Sequence, residues 1–215
     1  AHGRGEGMNI TVQLCGLVLL LILLYFYYRH KRLKLDSENA FSRMMIFNIF
    51  VLLMDISSIV CIVYANKIAA SLLYFFCKGY LVSLVAMTYI ALLYATTDIY
   101  GYKKNVVQKK LLRVYTALLV LSAVAIIFLP LKYHYNILPG DLYTYGAGAM
   151  MTYAMALTFM VINIAHLWIF RTKINLRRRN AMAVWLALWV IAATIQFFNN
   201  QILIVGFASA LGCMV

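Results

Sequence analysis

Two ionisable residues stand inside long apolar runs: Asp55 within FNIFVLLMDISSIVCIV and Lys78 within SLLYFFCKGYLVSLVAM. A charge at membrane depth is costly, so such residues are usually paired or functional. Helical rise places Asp55 roughly 20 Å above the inner end of its segment and Lys78 roughly 14 Å below the outer end of the next one. In a hydrocarbon core of about 30 Å those depths nearly coincide. An Asp55–Lys78 ion pair is therefore expected. Two roles fit it: a strut that fixes the register of two antiparallel helices, or a charged wall of a ligand cavity.

A second constellation lies near the carboxyl end. Trp185, Trp189, Gln196 and Asn200 follow one another at steps of 4, 7 and 4, a single helical stripe, with Asn199 and Gln201 beside it. The amides can cap two helix ends at a tight turn, or hydrogen-bond an external ligand. Tyr145 and Thr152 join Gln196, Asn199 and Asn200 as candidate ligand contacts. Thr152, Ala156, Phe159, Asn163 and His166 share one face of their segment, and Asn163 and His166 read as interhelical hydrogen-bonding groups. A lone histidine supplies no metal-ligand set, so neither metal nor cofactor is expected. Cys15, Cys61, Cys77 and Cys213 all fall in apolar stretches without metal-ligand spacing and read as small packing residues. Ser, His and Asp are scattered, so the chain shows no catalytic constellation and is not expected to be an enzyme itself. The Gly146-Ala147-Gly148 run opens an apolar helix, a context that excludes a phosphate loop. No lysine lies in the last apolar stretch, which argues against a retinal Schiff base.

The elements that position these groups follow from composition. Of 215 residues, 65% are hydrophobic and 12% charged, with a mean hydropathy of +0.87. A water-soluble domain of this size cannot bury that much apolar surface. About 20 apolar residues cross a bilayer as a helix, and that ruler finds seven stretches: 9–28, 42–65, 69–97, 111–131, 143–170, 181–198 and 201–215. The expected fold is all-α, a seven-helix polytopic bundle, with the third and fifth helices longer than the hydrocarbon requires. Residues 201–215 rise only about 22 Å as a helix, so the last helix reads as truncated, with a cytoplasmic domain expected to follow. Residues 1–7 (AHGRGEG) precede Met8 and read as a non-native or disordered leader. In residues 132–146, Pro139-Gly140 separates two segments rich in β-formers. A small hairpin and an irregular loop both fit there.

The net charge of +13 is explained by topology rather than by nucleic acid. Arg29, Lys31, Arg32, Lys34 and Arg43 follow the first stretch. Lys103, Lys104, Lys109, Lys110 and Arg113 follow the third, and Arg171, Lys173, Arg177, Arg178 and Arg179 follow the fifth. The other side carries Arg4, Lys67 and Lys132. Basic residues stay on the cytoplasmic side during insertion. The expectation is an amino terminus outside, a carboxyl end inside and a multi-pass protein of the plasma (cytoplasmic) membrane.

The segments MNITVQLCGLVLLLILLYFYYRHKRL (8–33), LDSENAFSRMMIFNIFVLLMDISSIV (35–60), YTYG (143–146), LRRRNAMAVWLALW (176–189) and AATIQFFNNQILIVGFASALG (192–212) resemble one bacterial family. These are the multispanning amino-terminal sensor regions of GGDEF-containing signalling proteins of gut Firmicutes. The resemblance covers nearly all of residues 8–215, and its second half is the more specific. It implies that the last helix leads into a cytoplasmic cyclic-di-GMP module, a GGDEF cyclase that works as a pair, and hence a homodimer. The chain carries no GGDEF signature. The functional expectation is a sensory input domain for an extracellular or membrane-borne ligand. A small transporter, or the input domain of a histidine kinase, is the rival reading.

Overall fold

A computed structural model describes residues 10–29, 36–100, 106–135, 142–199 and 203–214. The fold is helical apart from one two-stranded hairpin. In chain order the elements are α1 (Thr11–Arg29), α2 (Asp36–Val63), α3 (Ala70–Tyr100), α4 (Val106–Phe128), β1 (Lys132–Tyr135), β2 (Leu142–Tyr145), α5 (Ala147–Ile169), α6 (Leu176–Phe198) and α7 (Val205–Gly212). Helices α1 to α6 are long and apolar enough to cross a membrane. This corrects the seven-span expectation: α7 has 8 residues, about 12 Å of rise, and does not reach across a hydrocarbon core of about 30 Å. Hydropathy alone runs continuously through 201–215, but the described helix begins only at Val205, with Ile204 as its amino-terminal cap.

The helices that leave the basic connections begin earlier than the apolar ruler places them: α2 at Asp36 rather than 42, α4 at Val106 rather than 111, α6 at Leu176 rather than 181. Their first turns are polar, and a ruler that counts only apolar residues skips them. Asn175 caps α6, its side-chain oxygen accepting the Arg177 amide N–H at 3.1 Å, a regular way of satisfying a helix's first donors. Helix α3, with 31 residues, is overlong as expected. Helix α5 is not, because residues 142–145 pair as β2 instead of extending it.

The hairpin is antiparallel, with Lys132 opposite Tyr145 and Tyr135 opposite Leu142. Its turn, with Pro139-Gly140, lies outside the described residues. Gly146 makes the corner into α5 with φ 117°, and a Cβ there would stand 3.1 Å from the Pro130 carbonyl oxygen. A left-handed backbone so tightly approached admits glycine alone.

Helix packing closes a ring: α2 lies on α3, α3 on α5, α5 on α6, α6 on α7, and α7 on α2. Helix α1 rests outside it against α2 and α7, and α4 rests outside against α3 and α5. Accordingly α1 and α4 are the least buried of the long helices. Side chains such as Leu21, Leu121 and Phe128 project outward, where acyl chains rather than water suit them. The short α7 fits because its glycines let neighbours approach. A Cβ at Gly206 would come 2.9 Å from Leu52, and one at Gly212 would collide with the Trp185 ring. Small residues at helix contacts are the usual means of close packing in lipid.

Candidate functional site

The ring encloses a group of polar side chains that the surrounding apolar packing sets apart. Asp55 projects inward from α2 and is 1% exposed. It lies about 12 Å from the α2–α3 end of its helix, eight residues before Val63. Neither carboxylate oxygen accepts a hydrogen bond. The Gln13 side chain, reaching in from α1, lies beside the carboxylate but not in hydrogen-bonding geometry. Gln13 is itself oriented: its Nε2 donates to the Leu203 carbonyl at 3.0 Å, just before α7, leaving Oε1 without a donor.

The first turn of α7 forms the roof of this group. A Cβ on Gly206 would stand 3.8 Å from Asp55 Oδ2. The Val205 amide N–H donates to Gln196 Oε1 at 3.4 Å. The Gln196 amide, at the end of α6, lies against the hydroxyls of Tyr80 from α3 and Tyr153 from α5. The Tyr80 hydroxyl is buried and finds no partner. Six helices thus send one group each to a single place. The Asp55 carboxylate lies beside the first turn of α7, a helix start whose partial positive charge favours an anion. Among the described residues no Lys, Arg or His offers it a full countercharge.

The expected Asp55–Lys78 ion pair does not form. Lys78 Nζ donates instead to the Ile127 carbonyl, in the last turn of α4. The reason is azimuth: Tyr80, two residues on, faces the ring interior, and two residues turn a helix by about 200°. Lys78 therefore points out of the ring at the same depth at which Asp55 points in.

The aromatic–amide stripe of α6 is real. Trp185, Trp189 and Gln196 are all buried, and Asn200 lies outside the described residues, as does Gln201. Asn199 is the exposed carboxyl cap of α6. Of the two roles open to these amides, the geometry gives Gln196 a capping role at the start of α7. Tyr145, in β2, is 40% exposed and stands apart from the buried group. Thr152 is buried, with its hydroxyl donated to the Gly148 carbonyl of its own helix at 3.0 Å.

The face of α5 carrying Thr152, Ala156, Phe159, Asn163 and His166 is buried throughout. Asn163 Nδ2 donates to the Thr88 carbonyl of α3 at 3.2 Å, an interhelical bond as expected. His166 Nδ1 pairs with the Ile162 carbonyl of its own helix at 2.9 Å, and its ring meets the Tyr115 ring of α4 at an edge. Of the cysteines, Cys61, Cys77 and Cys213 are buried and Cys15 is exposed on α1. Cys213 Sγ accepts from Asn48 Nδ2 at 3.8 Å, tying α7 to α2.

No protein-family model, curated protein or solved structure matches this chain. The site is therefore read from its own chemistry. A buried carboxylate without a full countercharge carries a desolvation cost of about several kcal/mol. Proteins keep such groups at functional positions more often than at structural ones. Gln13, Tyr80 and Tyr153 escaped the sequence reading. Gln13 alone carried a signal, as the one amide inside TVQLCGLVLLLILL.

Proposed function

We propose that this chain is a membrane-embedded sensory input domain of a bacterial plasma membrane, with its amino terminus outside and α7 directed from the outer side back toward the cytoplasm. The buried group around Asp55 is its switch and α7 its output element. One observation carries the reading: side chains from the ring and from α1 converge under the first turn of a short helix, which touches α1, α2 and α6. A ligand or membrane cue that alters the hydrogen bonding of Asp55, Gln13 or Gln196 changes how that helix is seated. Such a change is a population shift between two packings of a bistable core. The side of the Lys/Arg-rich connections supports the orientation. The resemblance to sensor regions of GGDEF proteins supports a cyclic-di-GMP module as the receiver, and a homodimer as the working unit.

The test joins a diguanylate cyclase module after Val215 and measures cyclic-di-GMP in cells. Asp55→Asn and Gln196→Leu are expected to change basal output by about fivefold or more, the effect of roughly 1 kcal/mol on a two-state equilibrium. Output that ignores both substitutions in a normally expressed protein removes the switch. A transporter reading draws on the same carboxylate, since intramembrane acids also mark ion pathways. It calls for interrupted helices and an internal repeat, whereas α1 to α6 are each described as one continuous helix. Solute flux through the isolated domain in liposomes, dependent on Asp55, would replace the sensor reading with that one.

A further inference from the structure

A cleft of about 580 Å³ opens sideways between α2 and α3, on the outside of the ring, with Ile127 of α4 at its edge. Phe47, Met54, Val82 and Ala86 line its depth, and Phe75, 64% exposed, stands at its lip. Gly79 forms part of the floor, where a Cβ would collide with the end of the Met54 side chain. Two hydroxyls line it: that of Tyr74, toward the α2–α3 turn, and that of Ser83, which is spent on the Tyr80 carbonyl of its own helix at 2.7 Å. Lys78 is the one charged group in its wall. An ammonium has three donors, and the Ile127 carbonyl takes one. Among the described residues no carboxylate pairs with it. The cleft therefore presents an apolar slot with a cation in its half nearer the α2–α3 turn and, among the described residues, no countercharge.

The polarity of the slot matches that of a lipid. From Lys78 to Ala86 it runs about 12 Å along α3, away from the α2–α3 turn and toward the middle of the apolar span. The cation lies in the half nearer the membrane surface, beside the last turn of α4. We propose that the cleft binds one anionic phospholipid of that leaflet. Its phosphate would take the unspent donors of Lys78, and one acyl chain would lie over Val82 and Ala86. Charge complementarity selects an anion over a zwitterion: an added phosphate meets a lone cation, while a choline would bring a second positive charge beside it. The proposal does not depend on the sensory reading, since the cleft lies outside the ring.

The experiment uses the whole chain in detergent and counts bound lipid by native mass spectrometry. Phosphatidylglycerol and phosphatidylcholine with identical acyl chains are compared. The wild type is expected to retain phosphatidylglycerol with about tenfold preference, the effect of one charge-assisted contact. Lys78→Gln is expected to abolish the preference, Lys78→Arg to keep it, and Lys67→Gln, in the α2–α3 turn, to leave it unchanged. Val82→Trp fills the slot and is expected to lower retention of both lipids. Should Lys78→Gln fail to fold, as judged by helix content, Val82→Trp decides. Equal retention of the two lipids by the wild type, a preference that survives Lys78→Gln, or full retention by Val82→Trp each overturns the proposal.

Discussion

Gln13 is the residue on which the seating of α7 turns. Its amide bridges α1 to the carbonyl of Leu203, the last turnless stretch before the short helix. Replacing it with leucine removes that partly buried bond, a loss of about 1 kcal/mol. Gln13→Leu is expected to raise amide hydrogen exchange across 203–212 while leaving the α3–α5 contact protected. Uniform exchange throughout would show that Gln13 has no special tie to α7. At this scale the sequence was only half legible. The hydropathy contrast that exposes Asp55 and Lys78 reports depth, but not direction around the helix axis. Two groups at one level can face opposite sides, as these do. Gln13 was harder still, because a single amide hardly lowers the hydrophobicity of a run of leucines.

Among the elements, α7 is held by shape more than by length. Glycines at 206 and 212 bring it against Leu52 and Trp185, and both of its ends are tied to α2 or α6 by polar atoms. Gly212→Leu inserts a side chain where Trp185 already stands. Overpacking of that kind costs about 1–3 kcal/mol, so a fall in thermal stability is expected in a detergent unfolding assay. Gly148→Ala is the control: a Cβ there meets nothing nearer than 3.7 Å and should leave the melting temperature within about 2 °C. The long helices were legible because twenty apolar residues in a row are a strong signal. The hairpin was foreseeable as one of two options from its β-formers around Pro139-Gly140. The extent of α7 was not legible, since where a helix starts within a uniformly apolar stretch depends on partners distant in sequence, here Gln196 and Gln13.

Taken whole, the described molecule is a five-helix ring flanked by two outer helices, and the direction proposed for it rests on its charge asymmetry. Single cysteines placed at 67 and 133 are expected to react with a membrane-impermeant maleimide added outside intact cells, and cysteines at 110 and 173 only after lysis. Cys61, Cys77 and Cys213 are buried and should not interfere, and the exposed Cys15 is first replaced by serine. The reverse labelling pattern would invert the proposed direction of signalling. Among the described residues six helices are long and apolar enough to cross, one fewer than the sequence count, so the alternation of basic connections fixes the proposed sides up to the end of α6 and leaves α7 within the outer half.

The 31 residues of α3 make it about 46 Å long, well beyond a hydrocarbon slab of about 30 Å. Such a column can lean, and how far it leans depends on how thick the surrounding lipid is. Because α3 carries Tyr80 into the ring and Lys78 out of it, any change in that lean displaces both at once. Reconstitution in bilayers of progressively longer acyl chains is therefore expected to alter the environment of Tyr80 stepwise, making bilayer thickness a mechanical input to the core.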